Sequence, residues 1–155
     1  MTTSDFDYDA DLCSEANASQ EKALELLQKL GFEYLTPQQC AKERGGSYRV
    51  LLENVLREQL RRLNVDKNEK PRFSNANIGQ AVADLDAPLG LGLNAAGKAV
   101  YEALVAGKTY DEIVDGRSKS YDLKYIDWER PERNALHVTR EFSVANEAGK
   151  IVARP

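Results

Sequence analysis

The chain has 155 residues, of which 42% are hydrophobic and 30% charged, and its formal net charge is −4. This size and balance fit one globular domain that can bury a core, and the acidic total argues against a surface that binds DNA over its whole area. No apolar run approaches the roughly 18–20 residues that span a bilayer. The acidic N-terminus also lacks the pattern of a secretory signal, so we expect a cytoplasmic protein with no membrane partner.

Charge is divided unevenly along the chain. Residues 1–41 carry eight acids against two lysines, whereas residues 42–72 carry nine Lys or Arg against five acids, so a local basic face is still compatible with the total. Residues 1–18 alternate Asp with Phe, Tyr and Leu and then become polar, which predicts a flexible acidic leader, or one that only a partner orders. A single domain is expected over residues 19–155.

Helical signals come first in this domain, over residues 19–115. Ser19 predicts the N-cap of a helix over about Gln20–Leu30, and Gly31 is its expected left-handed stop. The apolar stripe of this helix has i, i+3, i+4, i+7 spacing and consists of Ala23, Leu26, Leu27 and Leu30. Thr36-Pro37, an N-cap followed by proline, opens a short helix that is predicted to end near Gly45-Gly46.

Ser47 is predicted to cap the strongest helix, about Tyr48–Leu63. Its expected buried stripe is Leu52, Val55, Leu56 and Leu63. Two i,i+4 pairs have the acid on the N-terminal side, which is the better orientation: Glu53 with Arg57, and Glu58 with Arg62.

The remaining helical signals are interrupted by a Pro/Gly-rich connection, Asp86–Gly92. They predict a helix over Asn75–Leu85 that starts after Ser74, a helix from Asn94 to Ala106 that ends at Gly107, and a short helical turn from Thr109 to Val114. After Asp115-Gly116 the pattern becomes alternating over residues 121–155. Three strands are predicted there, with turns at Pro131 and Asn146–Gly149: Tyr121–Trp128, Leu136–Ala145 and Lys150–Ala153. Helices followed by an antiparallel β-meander make an α+β fold.

Self-sufficient catalytic motifs are absent from the sequence, which has no G-x-x-x-x-G-K-[ST], H-E-x-x-H or G-x-S-x-G. Gly45-Gly46 and Gly90-Leu-Gly92 are interpreted as turns. His137 has no second histidine to share a metal, and we interpret it as structural or partner-facing. Cys13 and Cys40 form no spaced cluster, which favours reduced thiols and argues against a metal site.

Several stretches, in order, resemble the N-terminal region of type I restriction enzyme R subunits. The resemblance runs from about Ser14 to the end of the chain, close to nine-tenths of its length. The stretches are Glu21–Leu35, Gly45–Glu53, Leu56–Asn64, Asn94–Gly107, Tyr125–Asn134 and Ala135–Ala145.

This resemblance implies a partial restriction-endonuclease-like domain. Intact members of the family cut double-stranded DNA after ATP-driven translocation, in a complex with methyltransferase and specificity subunits. Their nuclease needs an aspartate and a Glu/Asp-x-Lys to hold Mg²⁺. This chain ends at Arg154-Pro155, where the family's first catalytic aspartate would follow, and neither Glu129 nor Glu132 makes a Glu-x-Lys. We therefore expect no catalytic residue and no cofactor in this chain, with Mg²⁺ and ATP used by the intact protein.

Three residues are candidates for a site. Glu21 lies where a first-helix glutamate can point at the metal in this class of nuclease; otherwise it supports the helix dipole. Arg57 and Arg61 lie one turn apart on one helix face and are candidates for phosphate contact, the alternative being a solvated face.

A second hypothesis is a stand-alone, non-enzymatic module that docks on the methyltransferase or specificity subunits, or on DNA. An uncovered last strand, Lys150–Ala153, would also allow self-association by strand addition.

Overall fold

Helices dominate the first two-thirds of the molecule and short strands the last third, as a computed structural model describes for residues 8–45, 49–86, 92–140, 142, 144–145 and 151–153. The helices are α1 (Tyr8–Lys29), α2 (Pro37–Arg44), α3 (Glu53–Leu63), α4 (Asn75–Asp86) and α5 (Leu93–Ala106). The strands are β1 (Glu33–Tyr34), β2 (Lys108–Val114), β3 (Arg117–Leu123), β4 (His137–Val138), β5 (Val144–Ala145) and β6 (Ile151–Ala153). The predicted α+β class is confirmed. Within these ranges, every helix is too short or too polar to cross a membrane.

The strands pair two by two. β2 and β3 form an antiparallel hairpin, β5 and β6 are antiparallel, and β1 runs parallel to β4. The hairpin turns at Asp115 and Gly116, which both have positive φ, as a two-residue type I′ turn requires. The predicted helical turn over Thr109–Val114 is therefore wrong, because β-branched and aromatic residues beside an Asp-Gly turn pair as strand β2.

The predicted pairing of Tyr121–Trp128 with Leu136–Ala145 is also wrong. β3 ends at Leu123, a 3-10 turn forms at Pro131–Arg133, and β4 pairs with β1 instead. The backbone between β3 and the 3-10 turn forms its hydrogen bonds with the side chains of Asn64 and Asn134, which take the place of a neighbouring strand. The predicted Asn146–Gly149 turn lies outside the described residues.

The N-terminal helices keep their predicted order and partly change their bounds. α2 is confirmed, with a capping box between Thr36 and Gln39 and Gly45 in the left-handed region after it. α1 begins at Tyr8, so it includes residues 8–18 of the predicted leader, while residues 1–7 lie outside the described ranges. The division into a leader and one domain stays a prediction.

The apolar stripe predicted on α1 is largely exposed. Leu26 is 58% and Leu30 64% exposed, whereas Leu24 is buried. Because α1 packs mainly on the short strand β1, the part of the helix from residue 19 onward is covered chiefly along the edge that carries Leu24.

The two other helix starts differ from prediction. α3 begins at Glu53, and Leu52 before it makes no side-chain cap; the predicted cap, Ser47, lies outside the described residues. Leu60, which the predicted stripe omitted, is fully buried. α5 begins at Leu93 after Gly92, so Asn94 lies inside the helix and is not its cap. α4 follows Ser74 as predicted, and the Ser74 hydroxyl accepts a hydrogen bond from the Asn77 N–H.

The main core lies between α3, α4 and the hairpin. Its buried members are Leu60, Phe73, Ile78, Ala81, Val82, Tyr110, Leu123 and Tyr125. Gly107 lets α5 turn directly into β2: its φ is +77°, and a Cβ there would lie 2.4 Å from the Leu123 carbonyl oxygen. Only glycine fits such an approach, because any larger residue would clash with backbone.

A polar network fastens the hairpin to α4 beside this core. The Tyr110 hydroxyl donates to Asp84 at 2.6 Å and lies 3.2 Å from the Tyr125 hydroxyl, which donates to the Ala81 carbonyl at 2.9 Å. Lys108 forms an ion pair with Asp84 at 2.5 Å. Burial raises the pKa of both tyrosines, so they are neutral hydrogen-bond donors at physiological pH.

We expect Asp84 to make the stability of the fold depend on pH. Burial by itself would raise its pKa, but hydrogen bonds from Lys108, Tyr110 and Gln80 outweigh this and hold the pKa below the ordinary 3.8. A depressed folded-state pKa means that the unfolded chain binds the proton more tightly. The stabilisation of the fold by the ionised Asp84 carboxylate is therefore complete above about pH 4, and it is lost as the pH falls through the folded-state pKa of Asp84.

Urea unfolding at about pH 5 and about pH 3 measures this contribution. Asp84→Asn should cost more free energy of unfolding at the higher pH than at the lower one. Asp86→Asn, in the same helix but exposed, controls for the loss of one carboxylate. An Asp84→Asn penalty that is equal at both pH values would contradict the assignment.

Candidate functional site

A cleft of about 270 Å³ opens where the end of α3, the loop after it, the end of β3 and the 3-10 turn meet. Four cationic side chains and two carboxylates line it: Arg72, Lys124, Arg130 and Arg133, with Asp122 and Asp127. We refer to it as the basic cleft. Its remaining walls are Leu63, Asn64 and Val65.

Asn64 fixes one wall of the basic cleft. Its side-chain oxygen accepts the Lys124 N–H at 2.8 Å, and its amide donates to the carbonyls of Lys124 at 2.8 Å and Leu60 at 2.9 Å. The buried side chain thus exchanges two hydrogen bonds with one residue, as a neighbouring strand would. This holds Lys124 in place just after β3 ends.

Asn134 closes the loop that forms the opposite wall. Its side-chain oxygen accepts the Asp127 N–H at 2.9 Å, and its amide donates to the carbonyls of Asp127 at 3.0 Å and Pro131 at 3.1 Å. From α3, Gln59 accepts the Ala135 N–H at 3.1 Å. The loop is therefore fastened both to itself and to the helix.

Asp127 holds the two arginines of this wall. Its side chain is only 4% exposed and lies 3.4 Å from Arg133 and 3.8 Å from Arg130, and it also accepts the Arg130 backbone N–H at 3.1 Å. The Arg130 side chain remains 61% exposed. Since a guanidinium has five donors, Arg130 retains several that point to solvent.

The balance of charge favours an anion in this cleft. Four cations surround two carboxylates, and one carboxylate, Asp127, is already engaged by arginines. Arginine binds phosphate or carboxylate oxygens through paired N–H donors. The arginines can therefore bind the oxygens of a phosphate group, and the net positive charge of the cleft attracts such an anion.

The arginines predicted from the sequence lie elsewhere, against α4. Arg57 makes two hydrogen bonds to Glu53, at 3.1 and 2.7 Å, and its guanidinium lies over Gly79. Arg61 donates to Asn75 at 3.0 Å. The two do share a face, and the Glu53–Arg57 pair is confirmed. Their role in phosphate contact stays a prediction.

The second predicted ion pair, Glu58 with Arg62, is wrong. Arg62 donates instead to the Gln59 side chain at 2.8 Å and to the Arg133 carbonyl at 2.7 Å. Gln59 lies on α3 itself and the Arg133 carbonyl belongs to the loop at the cleft, so Arg62 is directed to that loop and not to the exposed Glu58.

Glu21 and His137, the two other residues singled out from the sequence, each lie beside a side chain of a different segment. Glu21 pairs with Arg140 and joins α1 to the segment that follows β4; its role beside a metal stays a prediction. His137 lies 3.5 Å from Glu33 on the neighbouring strand, and its side chain is mostly buried. Across the residues with known placement, no group of three His, Cys, Asp or Glu side chains is arranged to hold a metal ion.

Reasoning from the sequence missed all four cations of the basic cleft. The signal that was available is the cluster of arginines around Pro131, since Arg130 and Arg133 flank the turn. It also passed over Asp122-Leu123-Lys124, an Asp-x-Lys triplet. In the structure Asp122 accepts a hydrogen bond from Thr109 across the hairpin at 2.7 Å, and Lys124 lies 3.8 Å from Glu129.

We expect Asn64→Ala to lower the free energy of unfolding by roughly 1–3 kcal/mol, because the backbone of Lys124 loses both of its partners. Urea denaturation measures the change. Asn68→Ala is the matched control: Asn68 is exposed in the next loop, and its replacement should cost less than about 0.5 kcal/mol. Equal effects of the two variants would show that the Asn64 bridge does not stabilise the fold.

Comparison with known proteins gives one result. The model of the family described as type I restriction enzyme R protein N terminus matches residues 13–152 of the chain. No curated protein and no solved structure matches it significantly.

Proposed function

Since the chain belongs to the family of type I restriction enzyme R protein N termini, we propose that its basic cleft contacts the phosphates of double-stranded DNA. The resemblance predicted from the sequence is confirmed, and the chain represents the N-terminal region of a restriction subunit. The intact protein would be an ATP- and Mg²⁺-dependent endonuclease that translocates unmodified DNA. It would act in the cytoplasm with methyltransferase and specificity subunits.

The observation that carries the DNA contact is the convergence of Arg72, Lys124, Arg130 and Arg133 on one cleft. These residues come from two segments that are distant in the sequence, the loop before α4 and the loop after β3, so the positive field is a product of the fold. Contacts to phosphates supply most of the sequence-independent affinity of proteins for DNA. Such contacts suit a subunit that follows DNA without reading its sequence.

The DNA contact can be tested by the salt dependence of binding to a labelled duplex. Arg72→Ala with Arg130→Ala should weaken binding to all duplex sequences alike and reduce the slope of log K against log salt by about 2, since each phosphate contact contributes about 0.9. Arg133 stays unchanged in this variant, because its guanidinium lies closer to the buried Asp127, at 3.4 Å, and is less exposed than that of Arg130, which lies 3.8 Å away.

The matched control removes two exposed cations that lie away from the cleft, Lys22 on α1 and Lys42 on α2. It should leave the slope nearly unchanged. A third variant, Arg57→Ala with Arg61→Ala, tests the surface predicted from the sequence. A slope that responds to this third variant, and stays the same when Arg72 and Arg130 are replaced, would overturn the assignment of the basic cleft.

We also propose that this chain does not cut DNA by itself. No glutamate of this chain forms the Glu-x-Lys that the family's nuclease needs. The one Asp-x-Lys triplet, Asp122-Leu123-Lys124, lies at the basic cleft, whose cations repel a divalent ion. Purified chain incubated with supercoiled plasmid and Mg²⁺ should leave the plasmid intact. Nicking by the chain that Asp122→Asn abolishes would show a nuclease site in this cleft and refute the proposal.

The alternative is a non-enzymatic module that docks on the methyltransferase or specificity subunits. The exposed Leu26 and Leu30 on α1 favour it, because neighbouring exposed leucines are typical of a surface that binds protein. Self-association through an exposed strand edge remains a further proposal. Loss of duplex binding in the basic-cleft variants would favour the DNA-contacting function over both.

A further inference from the structure

Trp128 lies beside the basic cleft and is more than half exposed. It is the only tryptophan of the chain, and it is 58% exposed. Its indole N–H donates to the Leu104 carbonyl at 3.0 Å, so the single polar group of the side chain is satisfied against α5. The hydrogen bond anchors the indole to the end of α5, while more than half of the residue is open to solvent.

A second cavity, of about 240 Å³, lies between the end of α5 and the segment from Lys124 to Glu129. Trp128 forms one side of it, together with apolar residues Leu104, Val105 and Ile126. Lys124 lines both this cavity and the basic cleft. An aromatic site and a cationic site therefore share a wall.

The charges around Trp128 favour a polyanion over a plain apolar partner. Lys124 and Arg130 lie four residues before it and two residues after it, and both side chains are more than half exposed. Glu129, the one acid among the residues that line the cavity at Trp128, is 82% exposed and lies 3.8 Å from Lys124. It is screened by solvent and free to move away when a phosphate approaches.

We infer that Trp128 is a stacking platform for a base of an unpaired DNA strand whose phosphates lie in the basic cleft. Every base presents a flat π-face that an aromatic side chain can stack on, and proteins that bind single strands combine such rings with cationic grooves. In a duplex the faces are covered by neighbouring bases, so only an unpaired base can reach the ring. The inference rests on the proposed DNA contact of the basic cleft.

Intrinsic fluorescence tests the inference directly, because all tryptophan emission from the chain comes from Trp128. Titration with a single-stranded oligothymidylate should quench this emission. A duplex of the same length, or inorganic phosphate, should leave it nearly unchanged. Absence of quenching at saturating single strand, as measured by the anisotropy of a labelled oligonucleotide, would overturn the inference.

Substitutions separate stacking from packing. Trp128→Leu should weaken binding of the single strand by about 5- to 150-fold, the range found for loss of one stacked base, whereas Trp128→Phe should retain most of the affinity. Both variants should bind the duplex like the unmodified chain. Ile113→Ala, which removes an exposed apolar residue from β2, is the control and should change neither affinity.

The results also distinguish the two proposals. If Arg72→Ala with Arg130→Ala weakens both forms of DNA while Trp128→Leu weakens neither, the basic cleft stands and the stacking platform is refuted. If the two arginine substitutions weaken binding of neither single-stranded nor duplex DNA, both the DNA contact of the basic cleft and the stacking platform are refuted. Equal losses with leucine and phenylalanine at position 128 would also refute stacking, because phenylalanine keeps an aromatic face.

Discussion

The pair of hydrogen bonds between the Asn64 side chain and the backbone of Lys124 is the junction on which the basic cleft depends. β3 ends at Leu123, and the chain beyond it has an N–H and a carbonyl with no neighbouring strand. A buried backbone group without a partner costs as much as a lost hydrogen bond. Asn64 supplies both partners from the end of α3 and so fixes where the cationic loop starts.

The loop that follows is held by side chains and not by a regular ladder. Asn134 folds it back on itself, and Gln59 and Arg62 attach it to α3. Asp127 then serves as the buried counter-charge of two arginines. Burying one carboxylate among cations is tolerable because its hydrogen bonds are filled, and the arrangement leaves an excess of positive charge at the surface. The same contacts that stabilise the loop therefore create its electrostatic character.

The hairpin and α4 form the support behind this site. Leu123 and Tyr125, which flank Lys124, are buried in the main core, while Tyr110 and Asp84 fasten the hairpin to α4 through a filled polar network. A residue between two buried neighbours in an extended segment points away from the core. Lys124 is thus directed outward, into the wall shared by the basic cleft and the cavity at Trp128.

Local patterns in the sequence determined the features that depend on near neighbours. The capping box of Thr36, the start of α4 after Ser74 and the end of α5 at Gly107 all rest on interactions within a few residues. The order of the stretches from Glu21 to Ala145 was enough to indicate the family. Where β-branched residues met an Asp-Gly turn, the helical reading of residues 109–114 failed because pairing with β3 decided the conformation.

Tertiary structure alone decided the site. Asn64, Arg72, Lys124 and Arg133 are separated by up to 69 positions in the sequence, and no periodicity relates them. Hydrogen bonds from the end of α3 to Lys124 and to the loop around Arg133 bring these segments together. The parallel pairing of β1 with β4 and the exposure of Leu26 and Leu30 were settled in the same way. The reason is physical: a local pattern records which face of a segment is apolar, whereas the partner that covers that face is chosen by contacts between distant segments.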